Sequence, residues 1–481
     1  MSEYKGLEYL RNKLNLKRVR VLKRYKFYEM KNIAADLGIS TPPELRSFSH
    51  ALGWCGKAVD SIADRLVFRE FVDDNFDMNH IFAMNNPDVL FDSAMTSALI
   101  SSCCFIYISL GDNDFPQLQV IDGGNATGIL DPITGLLREG YAVLERDDNE
   151  NPVLEAYFKS GVTEYYGKGR FWKYKGKRIP NNAPYPLLVP IIHRPDAKRV
   201  FGHSRISRAC MSIMSSAIRT MKRSEISAEF FSFPQKYAVG LSEDAEDMDK
   251  WRAAMSALLT ITKDEDGDFP QLGQFQQQSM APHTEQLRMF AALFAGETGL
   301  TMDDLGFATE NPSSQEAIKA SHENLRLSAR KAQRTFGSGL LNVGYLAVCL
   351  RDNYPYYRNQ VYLTKPVWEP VFEPDAATLS SIGDGAIKIN QAVPGYFNRD
   401  NLRDLTGIEA SRIQSQPAQT QSSEGGTHQN IKQSSTYEIT SVLEKRNKGL
   451  LTYNNTVKML MRLGISEQEA KAILDDRDVV S

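Results

Sequence analysis

A chain of 481 residues, 42% hydrophobic and 24% charged with a formal net charge of −3, is ordinary globular material, enough for about two to four packed units. The slightly acidic balance excludes a protein that grips DNA over its whole surface through the phosphates, and leaves room only for local or weak nucleic-acid contacts. The cysteines (Cys55, Cys103, Cys104, Cys210 and Cys349) form no Cys-x-x-Cys pair and the histidines are scattered, so no metal site or cofactor is expected and a reducing cytoplasm fits best.

Met1 to Leu16 is charged and has no apolar h-region, so no signal peptide is expected. The most apolar stretch, Ala98 to Leu110, is too short for a bilayer, and no membrane is expected as a partner. Residues 7–31 read as a helix in which Lys13, Lys17, Arg18, Arg20, Lys23, Arg24, Lys26 and Lys31 interleave with leucines, valines and aromatics. Either a solvated face, or contact with nucleic acid or an acidic neighbouring subunit, accounts for that run. Thr41-Pro42-Pro43 opens a new segment, and Trp54, Val59, Ile62, Ala63 and Leu66 then fall at helical spacing. A further helix is expected from Pro87 to Ser102.

The period then changes. Cys104–Leu110, Gln117–Ile121, Tyr141–Leu144, Leu154–Phe158, Thr163–Tyr166 and Phe171–Tyr174 are short β-branched or aromatic runs punctuated by Gly, Asn, Asp and Pro. They predict helices followed by an antiparallel meander, an α+β unit. From Ser204 to about Ser227 an apolar stripe of Ile206, Cys210, Ile213, Met214, Ala217 and Met221 predicts a helix that Pro234 ends. Residues 235–280 read as a strand near Tyr237–Val239, a helix Asp247–Leu258, a strand Leu259–Thr262 and an acidic turn Asp264–Asp268; residues 283–298 are helical. The segment 299–312 holds Gly299, Gly306, Asn311 and Pro312 and cannot be regular helix. Ser313 and Glu316 form a capping box, opening a helix to about Arg351 with Gly337 and Gly339 as its expected kink. Short helices around Pro394 and Gly395, a Gln/Ser/Thr/Gly-rich linker at 411–435 and an amphipathic terminal hairpin complete the chain. Within that hairpin, Ser466 and Glu469 make a second capping box.

Catalytic motifs fail on inspection. Gly161 to Gly167-Lys168 has one residue too many for a phosphate loop and is followed by Gly169, not a hydroxyl. The acidic run from Asp264 places Phe269 where a calcium loop needs Gly and Phe275 where it needs Glu. No Gly-x-Ser-x-Gly occurs. Cys103-Cys104 opens an apolar strand and reads as buried and inert, and His193 and His203 read as structural because no third ligand follows at a useful spacing. Asp-Phe-Pro-Gln-Leu occurs at 114–118 and again at 268–272, one turn solution used twice before a strand.

Three stretches in this order and spacing resemble the portal proteins of long-tailed bacteriophages, over roughly residues 5–410. They are Gly53-Trp54 with Ala58-Val59-Asp60 and Ala63-Asp64-Arg65-Leu66; His193-Arg194-Pro195 with Phe201-Gly202-His203-Ser204-Arg205-Ile206; and Thr298-Gly299-Leu300, Leu305-Gly306 and Asn311-Pro312-Ser313-Ser314 with Glu316-Ala317. The resemblance implies a mainly helical α+β portal fold with wing, stem, clip and crown regions. Residues 1–203 and 313–374 would be wing, 204–228 and 281–298 stem helices, 229–280 clip, 299–312 tunnel loop and 375–410 crown. A flexible linker, 411–435, and a C-terminal helical segment, 436–481, have no firm counterpart. It further implies a channel-forming ring, usually of twelve subunits, at one capsid vertex of the virion, assembled in the host cytoplasm and without enzymatic activity. Its implied partners are double-stranded DNA passed without sequence preference, a terminase motor, major capsid and scaffolding proteins, and a head–tail adaptor.

The tunnel-loop residues implied are Met302, Asp303, Asp304, Leu305, Phe307 and Asn311, in a segment without Lys or Arg. Such a loop can touch a duplex sterically without holding it, since phosphate contacts by cations would create drag. An ordinary inter-helix loop is the alternative reading. Two other classes remain open: a capsid or head–tail adaptor protein without a channel, distinguished by ring stoichiometry, and a nuclease using scattered carboxylates, distinguished by a metal-dependent cleavage assay.

Overall fold

The computed structural model describes residues 4–32, 49–111, 114–168, 174–232, 236–239, 271–274, 279–307, 320–372, 376–406 and 408, and in the C-terminal segment 442, 446, 453–462, 470–471 and 474. It is a mixed α+β chain with two compact units. One comprises residues 1–22, 60–205 and 326–481; the other comprises 23–59 and 206–325.

In chain order the elements are α1 (Leu7–Tyr28), α2 (Trp54–Ala63), β1 (Phe68–Val72), α3 (Met78–Ala83), α4 (Pro87–Ser101), β2 (Cys103–Leu110), β3 (Pro116–Ile121), β4 (Ala126–Leu130), β5 (Leu137–Arg146) and β6 (Pro152–Lys159). Then come β7 (Val162–Lys168), β8 (Tyr174–Pro180), β9 (Leu188–Ile192), α5 (Arg208–Ser232), β10 (Lys236–Val239), β11 (Gln271–Gln274) and α6 (Ala281–Thr298). After these follow α7 (Glu323–Arg351), β12 (Lys365–Trp368), α8 (Ala376–Ala392), α9 (Arg399–Thr406) and α10 (Tyr453–Arg462).

The expected single meander is in fact two sheets. Strands β4 to β8 form a five-stranded antiparallel meander, while β2 sits between β3 and β9 in a separate three-stranded sheet. The reason is in β2: Cys103 to Ile108 are almost wholly buried on both faces, so the strand is a central one and takes a partner on each edge. α4 covers it, and the Cys104 thiol donates to the Ala94 carbonyl at 3.0 Å. Burial raises the Cys104 thiol well above its usual range, so it stays protonated and inert.

The five-stranded sheet carries α1 on one face. Leu10 and Leu14 pack on Tyr141, Val143 and Tyr157, and two buried carboxylates lie among them. Glu139 accepts from the Lys5 and Gly6 backbone N–H groups at 2.8 and 3.2 Å and from the Tyr157 hydroxyl at 2.8 Å. Glu155 pairs with Arg11 at 2.6 Å and accepts from the Tyr141 hydroxyl. On the opposite face Gly140 lies where a Cβ would stand 3.0 Å from Leu188 of β9.

α7 is hydrogen-bonded without a break through Gly337 and Gly339. Those glycines, with Gly344, have another physical reason: a Cβ would stand 2.7 Å from the Pro366 ring at Gly337, 2.7 Å from Ile191 at Gly339 and 2.8 Å from the Met78 sulfur at Gly344. Three neighbours thus abut the backbone of one helix. Alanine at position 337 gains up to about 1 kcal/mol of helix propensity but overpacks against a rigid proline ring, which costs about 1–3 kcal/mol. Gly337→Ala is therefore expected to lower the denaturation midpoint; a raised midpoint would refute the close-approach reading. The Ser313–Glu316 capping box lies outside the described residues, as do the helix and strand expected within 247–262, the acidic turn, the 411–435 linker and the Ser466–Glu469 box.

At the C-terminus Val457 and Leu460 of α10 pack on Ala470 and Leu474, a small core of its own. Asn455 donates to the Tyr356 hydroxyl at 3.4 Å, and a cleft of about 290 Å³ opens beside this contact, lined in part by Asp74, His80, Arg351 and Lys458.

Candidate channel loop

Helix α6 ends because Gly299 takes the left-handed conformation, φ 70°, and returns its N–H to the Ala295 carbonyl at 2.7 Å. A Cβ here would also come within 3.3 Å of Asn324. The chain then folds into a short 3-10 turn, Asp303–Leu305, closed by Gly306 at φ 89°. The Phe307 N–H donates back to the Met302 carbonyl at 3.0 Å. The two glycines expected to break the helix do so, each in a conformation that a side chain would resist.

The six implied loop residues separate by environment. Leu305 is buried. Asp304 is half-buried and holds the turn together: its Oδ2 accepts from the Thr301 N–H and hydroxyl, both at 2.9 Å, and lies 3.4 Å from His322 Nε2. Asp303 is exposed, while Met302 and Phe307 are partly exposed. Asn311 lies outside the described residues, so the exposed edge of the described loop is Met302, Asp303 and Phe307. Adjacent carboxylates therefore differ in exposure, Asp303 standing out and Asp304 holding the turn, which spacing alone does not reveal.

Burial works to raise the Asp304 pKa, but the Thr301 donors and His322 outweigh it and hold the carboxyl below the usual range. A carboxyl with a depressed folded pKa contributes stability that is complete above its unfolded value, about 3.9, and is lost as pH falls through the lower folded value. Hydrogen-exchange protection in 299–307, taken relative to the intrinsic amide rate at each pH, is expected to be flat from about pH 5 to 8 and to fall only below about pH 4, where the anchor protonates. Asp304→Asn should show the faster exchange already at neutral pH; equal exchange in both proteins would remove the anchor.

The second quoted stretch is a loop folded back on itself. His193 and His203 exchange backbone contact, His203 N–H to His193 O at 2.9 Å, and the His193 ring Nδ1 meets the His203 carbonyl at 2.7 Å. Gly202 sits so close that a Cβ would lie 2.1 Å from the His193 carbonyl. Burial lowers the His193 pKa to about 3, so the ring is neutral. Ser204 and Arg205 then donate to the Ile100 and Leu99 carbonyls at 2.5 and 2.8 Å, completing the end of α4. This pair of histidines is a structural clasp. In the other unit Trp54 of the first stretch packs on Phe294 of α6, ring centroids 5.6 Å apart.

The basic run of α1 is only partly a solvated face. Lys13 donates to the Gly128 carbonyl at 2.7 Å, and Lys17 lies 3.0 Å from the Cys103 sulfur and over the Phe105 ring at 5.1 Å. Arg20 and Lys23 are exposed. Among the described residues no helix is long and apolar enough to cross a membrane, and no group of three or more His, Cys, Asp or Glu gathers to hold a metal.

No protein-family profile matches the chain. Curated relatives do. The portal protein of Mycobacterium phage D29 is 23% identical over 404 residues, 79% of this chain and 81% of that protein. The portal protein of Mycobacterium phage L5 is 22% identical over 402 residues, 78% and 80% of the two chains. Among solved structures, a chain from the neck of an empty gene transfer agent particle aligns with a TM-score of 0.42 and 12% identity over 82% of this chain and 94% of its own. A chain from the neck of a native particle aligns at 0.39 and 13%, over 82% and 99%.

Proposed function

We infer that the chain is a bacteriophage portal protein, a component of the virion at the capsid vertex. The observation that carries this is the alignment with two curated portal proteins across about four-fifths of both partners, too long to come from one shared motif. The α+β architecture agrees with it, as does the positioned, cation-free turn between α6 and α7.

On this reading the protein is a structural conduit without chemistry of its own. Copies close into a ring, in the family's usual number of twelve, around a channel for double-stranded DNA during packaging, retention and ejection. The turn at 299–307 is the described part of the tunnel loop and would present Met302, Asp303 and Phe307 to the duplex, with Asn311 further along. Leu305 and Asp304 would hold the turn in place. Residues 229–280 would meet the terminase motor and later the head–tail adaptor, and the wing and crown regions would meet major capsid and scaffolding proteins.

Mass photometry with negative-stain imaging of the purified chain tests this. Ring-sized particles with a central hole are expected. Particles without a hole would favour a capsid or adaptor protein, and a persistent monomer would count against both.

A further inference from the structure

Cys103 and Cys104 open β2, and neighbours on a strand face opposite ways. Cys104 points at α4 and donates to the Ala94 carbonyl. Cys103 points at α1, where the Lys17 amine stands 3.0 Å from its sulfur although 86 positions separate the two in sequence. The same amine lies over the Phe105 ring at 5.1 Å and the Phe201 ring at 5.6 Å, and those rings are 6.1 Å apart. An aromatic pair thus places the lysine. Among the described residues no carboxylate pairs with it, and the polar atom it meets is the sulfur.

One turn earlier on the same helix, Lys13 lies over the Phe201 ring at 5.1 Å with its amine given to the Gly128 carbonyl. Two ammonium groups four residues apart repel. Burial lowers the Lys13 pKa, and Lys17 beside it lowers it further. Any reaction that removes the Lys17 charge relieves that repulsion. Reactive cysteines sit beside cationic groups, and buried ones away from them are inert. Cys103, facing an amine, is of the first kind; Cys104, facing a carbonyl, is of the second. Cys103 is fully covered, but part of its cover is Lys17, itself only partly buried, so a small oxidant has little to pass.

We propose that Lys17 and Cys103 are a modification site, joined under peroxide by a reversible nitrogen–sulfur bond, a sulfenamide, that staples α1 to the three-stranded sheet. The Cys103 sulfur attacks hydrogen peroxide, the O–O bond breaks, and the products are a sulfenic acid and one water. The Lys17 amine, having given its extra proton to solvent, then attacks that sulfur. The N–S bond forms, the S–O bond breaks, and the hydroxyl leaves with an amine proton as a second water. In sum, thiol, amine and peroxide give sulfenamide and two waters; sulfur is oxidised and peroxide reduced. Two equivalents of an external thiol reverse it, restoring amine and Cys103 thiol and leaving a disulfide of the reagent. The bond needs only this chain. Its use, tightening the subunit once the particle leaves a reducing host, rests on the virion reading above.

Peptide mapping of the full chain tests it, after reduction, exposure to hydrogen peroxide and proteolysis without reductant. The peptide bearing Lys17 is expected to be joined to the one bearing Cys103, with a mass two hydrogens below their sum, and dithiothreitol should part them. Lys17→Arg, which keeps a cation over the two rings, should abolish the linkage, and Cys104→Ser should leave it in place. The mapping of the unmodified sequence decides the matter even where a variant misfolds. Three results would overturn the proposal: no change under peroxide, oxidation of Cys103 to sulfinic acid without joined peptides, or a two-hydrogen loss confined to the peptide holding both cysteines, which is a disulfide between neighbours. None of the three touches the portal reading, which the ring assay decides separately.

Discussion

Replacing Glu155 with alanine is expected to cost about 3 kcal/mol of stability, the low end of the range for breaking a buried ion pair. The Glu155 side chain is 3% exposed and its partner Arg11 20%. Deleting the carboxylate removes the buried partner of the guanidinium between α1 and the five-stranded sheet and also takes away the acceptor of the Tyr141 hydroxyl. Arg11 keeps its exposed partner Glu8 among others, which is why the low end applies. Burial, with the carboxylate beside it, pushes the Tyr141 phenol well above its ordinary range, so the hydroxyl remains a donor and cannot substitute for the lost charge. Urea denaturation of the purified chain measures the loss. The double variant Arg11→Met with Glu155→Leu should recover most of it, because apolar replacement of both partners removes the stranded charge. A single-variant loss below about 0.5 kcal/mol, ordinary for a surface position, would show that the pair is not buried in solution.

The helices and most strands were legible because their signals are local. α2, α4, α5 and α6 follow apolar spacing, and β2, β3, β5, β6 and β7 each contain a run picked out by residue type. What escaped depends on distant partners. β1 and β12 are short and pair across a long stretch of chain, Phe68 with Trp368, so neither has a local signature. β9 contains Pro190, which argues against a strand until it is seen to lie, among the described strands, at a sheet edge beside β2. Glu139 and Glu155 look like the polar half of a strand alternation; only the arrival of α1 makes them buried anchors. In the loop, the turn was legible from its glycines, but the division of labour between Asp303 and Asp304 was not. It is decided by Thr301 and by His322, and the histidine belongs to the far side of the loop.

That division sharpens the charge-reversal experiment on the proposed channel. Reversing both aspartates would confuse two effects, since Asp304→Lys would also break the turn. Asp303→Lys alone changes the exposed charge and leaves the Thr301–Asp304 anchor in place. In a ring it sets one cation per subunit against the duplex. A protein making 6–10 phosphate contacts loses about 10³–10⁵ in affinity between roughly 50 and 200 mM salt, so even part of such a ring would hold DNA that should slide. Packaging by Asp303→Lys rings is expected to slow several-fold at low salt and to recover as salt rises, while ring yield stays unchanged. Asp303→Asn, which removes repulsion without adding attraction, should fall between the two. A wild-type packaging rate in well-formed Asp303→Lys rings, flat against salt, would mean that this carboxylate never meets the phosphates, and the turn would then be an ordinary connection between α6 and α7.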